Sequence, residues 1–129
     1  MTGIYLLDTN AAIALIAKNS ALLALIETGS DVYISTITLG EMYFGAEKSA
    51  RVEANWKEVD QIASGLQILQ IDIVTARQYA RVRNGLRLKG RPIPENDVWI
   101  SALAIQHKLT LFTRDHHFNE VAHLEKMTW

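Results

Sequence analysis

The sequence predicts an α/β fold in which a mostly parallel sheet is covered on both faces by helices, with residues 1–129 forming a single domain. Three observations carry that expectation. The runs Ile4-Tyr5-Leu6-Leu7 and 109–112 are apolar or nearly so and lack the polar alternation of a half-exposed sheet. Helical periodicity fills the intervals between strand-like runs, the alternation that builds parallel sheets. A chain of 129 residues, 49% of them hydrophobic, can build one core and has little room for a second.

Taken in order, the first strand is Ile4–Leu7, apolar throughout and closed by Asp8. Asp8-Thr9-Asn10 leads into Ala-rich sequence, giving helices over 10–17 and 21–27, the second with Ser20 as its N-cap. Gly29-Ser30-Asp31 is turn-like, and 32–35 forms the second strand. Helices over 38–48 and 52–63 follow, then a third strand at 66–71. The stretch 73–88 reads as a long helix because apolar residues recur at Ile73, Val74, Tyr79, Val82 and Leu86. Lys89-Gly90-Arg91-Pro92-Ile93-Pro94 holds both prolines and is the clearest loop. A helix over 96–107, a fourth strand at 110–113 and a short last strand near 126–129 complete the pattern.

A net charge of -1 argues against binding polyanions by bulk charge, so any nucleic-acid surface must be local. The absence of cysteine excludes disulfides and thiolate zinc sites and is compatible with a reducing cytoplasm, the expected location. No basic leader precedes the first strand, so no signal peptide is expected, and no apolar run is long enough for a transmembrane helix.

Four acids stand where chemistry is done in such folds. Asp8 ends the first strand, at the carboxyl edge where open α/β sheets place their sites; it also suits a helix cap, as does Asn10, which could otherwise orient a metal-bound water. Glu41 lies among apolar residues on a helix with Gly40 and Gly45, whose cost to the helix suggests close packing or ligand approach. An exposed position on an amphipathic helix is the ordinary alternative. Asp97 falls in a first helical turn, where the dipole favours an acid in any case, and Glu95 and Asn96 compete for its roles. Asp115 follows the fourth strand as Asp8 follows the first, although Asp is also a common turn residue; Thr113 beside it could offer a hydroxyl. Each acid has an ordinary structural role. Together they suggest a carboxylate cage, since crowded like charges raise one another's pKa or require a hard divalent cation.

These motifs resemble a PIN-domain ribonuclease, specifically the VapC-type toxin of toxin–antitoxin modules. The matching pieces are Leu6-Leu7-Asp8-Thr9-Asn10, Thr38-Leu39-Gly40-Glu41-Met42-Tyr43-Phe44-Gly45, Asn96-Asp97-Val98-Trp99-Ile100-Ser101-Ala102 and Leu111-Phe112-Thr113-Arg114-Asp115, in the family's order across nearly the whole chain. The resemblance implies a three-layer α/β/α sandwich, Mg²⁺-dependent RNA cleavage (with Mn²⁺ as a substitute), a homodimer, and inhibition by a cognate antitoxin. It matches Asp8, Glu41, Asp97 and Asp115 to the family's acidic quartet. Asp8, Glu41 and Asp97 are then the expected metal ligands, with Asp115 more peripheral and Asn119 a possible assistant.

Arg87, Lys89, Arg91 and Arg114 are candidate contacts for the RNA backbone, as are Lys48 and Arg51, though solvated surface is the ordinary role of each. His107, His116, His117 and His123 lack zinc-site spacing. Trp56, Trp99 and Trp129 fit core or interface. A phosphohydrolase with an aspartate nucleophile would want a second acid where Asn10 stands, and no phosphate-binding glycine fingerprint occurs. The rival from another class is a catalytically inactive module of the same fold that only binds RNA or protein. The apolar helices over 11–26 and the Tyr43/Phe44 helix offer surface for an amphipathic antitoxin helix.

Overall fold

The computed structural model describes residues 3–129; Met1 and Thr2, read above for a leader pattern, lie outside it. Five strands, β1 (Ile4–Leu7), β2 (Asp31–Ser35), β3 (Gln67–Leu69), β4 (Thr110–Phe112) and β5 (Lys126–Met127), form one sheet in the order β3-β2-β1-β4-β5. Every pairing is parallel, so the sheet is wholly rather than mostly parallel. Six helices surround it: α1 (Thr9–Ile16), α2 (Ser20–Glu27), α3 (Thr36–Glu47), α4 (Val52–Gly65), α5 (Ile73–Lys89) and α6 (Glu95–Gln106). A short 3₁₀-helix, His116–Glu120, follows β4.

Strand β1 is central because both its faces can be buried. Leu6 and Leu7 are each 0% exposed yet face opposite sides of the sheet. Leu6 packs with Val82 and Leu86 of α5, Ile100 and Leu103 of α6, and Phe118. Leu7 packs with Ala11, Leu15 and Leu22 of α1 and α2 and with Val32 and Phe112 of the neighbouring strands. Ala12, Ile34, Leu39, Met42 and Val59 tie α1, α3 and α4 to β2. An apolar run without alternation is what two covered faces demand.

Several helix starts differ from expectation, each through a cap. Asp8 itself caps α1, which therefore begins at Thr9. Asn19, not Ser20, caps α2: its side chain accepts from the backbone N–H groups of Ala21 (2.9 Å) and Leu22 (3.3 Å). Ser35 is both the last residue of β2 and the cap of α3, accepting from Thr38 N at 3.0 Å, so α3 starts at Thr36 rather than at 38. Asp72 and Thr75 form a reciprocal capping box at the start of α5. Helix α5 ends at Gly90, whose φ of 64° is the left-handed conformation that glycine adopts without penalty. The proline loop follows, and the Pro94 carbonyl accepts from Asp97 and Val98 N–H, so α6 opens at Glu95. Strand β3, expected over 66–71, is confined to Gln67–Leu69, its last pair being with Ser35, where β2 ends. Among the described residues no single helix is long and apolar enough to cross a membrane.

Gly40 and Gly45 are not packed closely. A Cβ built on either would meet nothing within 4 Å, so the packing motive proposed for them is absent within this chain.

Candidate active site

The sheet runs from β1 through β2 to β3 on one side and through β4 to β5 on the other. The chain thus reverses direction between β1 and β4, and beyond the carboxyl ends of such a strand pair a crevice opens. Asp8 follows β1 and Asp115 lies just beyond β4. Helix α3, leaving β2, carries Glu41, and the first turn of α6 carries Asp97. A cavity of about 380 Å³ at this edge is lined by all four acids together with Thr9, Asn10, Pro94, Glu95, Asn96 and His117.

Asp8 is 3% exposed. One carboxylate oxygen accepts from Ala11 N–H at 2.8 Å, and the other accepts from the Thr113 hydroxyl at 2.5 Å. Capping and site roles, set against each other in the sequence, are therefore held by one side chain: Oδ1 caps α1 while Oδ2 faces Thr113. Burial pushes the Asp8 pKa up, against the pull of the Thr113 and Ala11 hydrogen bonds, and the charges of Asp115 and Glu41 add to the rise.

Thr9 Oγ1 donates to Glu41 Oε1 at 2.7 Å and lies 3.3 Å from the fully buried Thr38 hydroxyl. This fixes Glu41 at the cavity wall. Thr113 also accepts from Asp115 N–H at 2.9 Å, so one hydroxyl links the two strand-end acids. Asp115 Oδ1 accepts from His117 N–H at 2.9 Å. The imidazole Nδ1 of His117 lies 3.1 Å from Asp115 Oδ1 and 3.6 Å from Asp97 Oδ2.

Asp97 has the clearest electrostatic signature. Its pKa is raised to about 6, chiefly by burial, then by the charges of Asp115 and Glu41; His117 opposes the rise and Asp8 adds to it. Crowded carboxylates of this kind, oxygen-rich and partly desolvated, suit a hard divalent cation, whose charge would relieve the repulsion. The tightest group of ligating atoms is Asp97, Asp115 and His117, all within 4.8 Å of one another. Asp115 thus stands close to Asp97 and His117, and Asp8 and Glu41 line the same cavity.

Asn10 is exposed and lines the cavity. Asn119 and His116 line a neighbouring pocket with Thr113, Arg114 and Asp115. The basic residues stand outside the acidic cavity. Arg87 hydrogen-bonds to Asn84 on its own helix, and Lys89 binds the Glu120 carbonyl and carboxylate. Arg91 is exposed in the proline loop. Arg114 donates to the Trp129 carbonyl at 2.7 Å and lies over its ring. Lys48 sits over Phe44.

Thr9 and His117 are the site residues that sequence reasoning passed over. Thr9 lay within the quoted Asp8-Thr9-Asn10 motif, and its partner Glu41 is visible only after folding. His117 was tested against zinc spacing alone, although it stands two residues after Asp115 and its backbone turn brings the ring back over that acid.

Residues 5–124 match the PIN domain family. The chain is 31% identical to "Ribonuclease VapC2" of Rickettsia felis, over 98% of each chain. It is also 31% identical to "Ribonuclease VapC2" of Haemophilus influenzae, over 97% of each. The fold superposes on a solved DNA-bound VapBC from Salmonella typhimurium with a TM-score of 0.90, at 30% identity, covering 100% of this chain and 99% of that one.

Proposed function

This chain belongs to the PIN-domain family, with VapC ribonucleases as full-length relatives, and from that membership we propose that it is a divalent-metal-dependent endoribonuclease acting as the toxin of a toxin–antitoxin pair. The observation that carries the reading is the convergence of Asp8, Glu41, Asp97 and Asp115 on one cavity at the strand crossover. Four carboxylates would repel a bare phosphate, and a cation held among them would let one approach.

Asp8, Glu41 and Asp97 would hold Mg²⁺ or Mn²⁺, directly or through water, with Asp115 beside them. When bound, the cation offsets charge on the scissile phosphate and eases ionisation of the attacking water. The chain's own groups do the positioning. Thr113 and the Ala11 N–H hold both oxygens of Asp8, and Thr9 holds Glu41. Water attacks phosphorus in line with the 3′-oxygen, its proton passes to a carboxylate of the cluster, and the P–O3′ bond breaks as the departing 3′-oxygen takes a proton from solvent water. The products are a 5′-phosphate and a 3′-hydroxyl. Arg87, Lys89, Arg91 and Arg114, which stand outside the acidic cavity, are proposed to carry the RNA backbone.

The antitoxin is proposed to occupy the groove between α1, α2 and α4, of about 500 Å³, lined by Leu15, Ile16, Leu23, Ile26, Ile62 and Leu66. That groove fits the apolar face of a helix, and the structural neighbours are toxin–antitoxin complexes. A two-fold homodimer is the proposed assembly.

The test is cleavage of total cellular RNA by antitoxin-free protein with Mg²⁺ or Mn²⁺, beside EDTA and an Asp97→Asn variant. Discrete fragments lost with both controls, bearing 5′-phosphates, are expected. Fragments ending in 2′,3′-cyclic phosphate would overturn the scheme.

A further inference from the structure

We propose that His117 is a nitrogen ligand of the cation site and turns its preference from magnesium toward first-row transition cations such as Mn²⁺ and Co²⁺. The inference rests on the metal reading above and concerns which donor atoms complete it.

The geometry carries it. With metal–ligand bonds of about 2.1 Å, adjacent ligands of an octahedral ion lie about 3.0 Å apart and opposite ones about 4.2 Å. The Nδ1 of His117 lies 3.1 Å from Asp115 Oδ1 and 3.6 Å from Asp97 Oδ2, and all three donor atoms fall within 4.8 Å. These are separations of groups that share one ion, with small adjustment. The ring is held there although its side chain is 53% exposed. Its backbone N–H is fixed on Asp115 Oδ1, and the next residue, Phe118, is fully buried in the core on the α5/α6 side of the sheet. His116 differs: it lines the pocket on the other side of Asp115, with Asn119 and Lys126.

The donor type then sets the preference. Magnesium takes oxygen ligands and gains little from imidazole, whereas affinity for nitrogen rises along the first transition row. A cage of carboxylates alone would leave Mg²⁺ and Mn²⁺ closely matched; one nitrogen separates them. The ring nitrogen already stands beside Asp115 Oδ1, at 3.1 Å.

The experiment uses the full chain, with Mg²⁺, Mn²⁺ and Co²⁺ titrated by calorimetry into wild type, His117→Gln, His116→Gln and Asp97→Asn, and electron spin echo modulation recorded on bound Mn²⁺. Nitrogen modulation is expected in wild type and His116→Gln and lost in His117→Gln. His117→Gln should lower Co²⁺ affinity about tenfold or more while leaving Mg²⁺ within about twofold. Cation binding that needs Asp97 but shows no nitrogen modulation, with His117→Gln unchanged, overturns the inference and leaves the metal reading standing. Loss of the signal in His116→Gln instead assigns the nitrogen to that residue and also overturns it. Wild type that binds none of the three cations overturns both, the metal reading first.

Discussion

The Thr113 hydroxyl donates to Asp8 Oδ2 at 2.5 Å, joining the ends of the two central strands across 105 residues of sequence. The contact exists because β1 and β4 are neighbours, with Leu7 opposite Phe112, so the residue after each strand meets its counterpart at the sheet edge. Thr113→Val keeps the shape and removes the donor. Asp8, already pushed up by burial, rises further and holds its negative charge less well. A fall in Mg²⁺ affinity and cleavage rate of about tenfold is expected, with a stability cost of about 1–3 kcal/mol for the unsatisfied buried carboxylate. Calorimetric titration and urea unfolding check the two effects separately; unchanged cation binding would place Thr113 in a purely structural role.

Glu41 depends on Thr9 in a similar way, through one 2.7 Å hydrogen bond. Thr9→Val should reduce turnover, and Thr9→Ser, which retains the hydroxyl, should restore most of it. A Ser variant as impaired as the Val variant would point to the lost methyl instead.

The order of elements was legible in the sequence because apolar runs and helical periodicity are local signals. Ile4–Leu7 and the residues around Leu111 announce strands covered on both faces, and those strands carry Asp8 and Asp115 to one edge. What stayed hidden were facts of pairing. Ser35 serves a strand and a helix at once, which shifted the start of α3. Asn19 and Ser20 are equally good caps on paper, and only the folded chain, with Lys18 left-handed at φ 61° just before them, shows Asn19 in that role. His117 reaches Asp97 only through a tertiary contact, so no spacing rule could have enlisted it.

Asp97 makes metal-free stability depend on pH with a definite sign. Its folded pKa of about 6 lies above the ordinary 3.8, so the folded state holds a proton more tightly than the unfolded chain. Stability from this group is fully present below about 3.8 and is lost as pH rises through about 6. Metal-free wild type should therefore lose stability relative to Asp97→Asn between pH 4 and pH 7.5, read by urea midpoints. A gap between the two proteins that stays constant with pH would show that the Asp97 pKa is ordinary. Saturating Mg²⁺ at pH 7.5 should raise the wild-type Tm and leave that of Asp97→Asn nearly unmoved.

Gly40 and Gly45 bear on what covers α3. Neither is crowded: a Cβ would meet nothing within 4 Å at either position. Both lie inside the helix, where alanine is favoured by about 0.5–1 kcal/mol, so each Gly→Ala variant should stabilise the isolated protein by about that amount. Their neighbour Phe44 is 65% exposed and Gly45 follows it directly, so a partner lying on this face would meet the helix backbone there. Gly45→Ala should then raise the Tm of the free protein while weakening its association with a co-expressed antitoxin or with a second copy. Sedimentation of the two forms separates these partners. A variant that is more stable and still assembles with wild-type affinity would show that α3 remains solvent-facing in the complex.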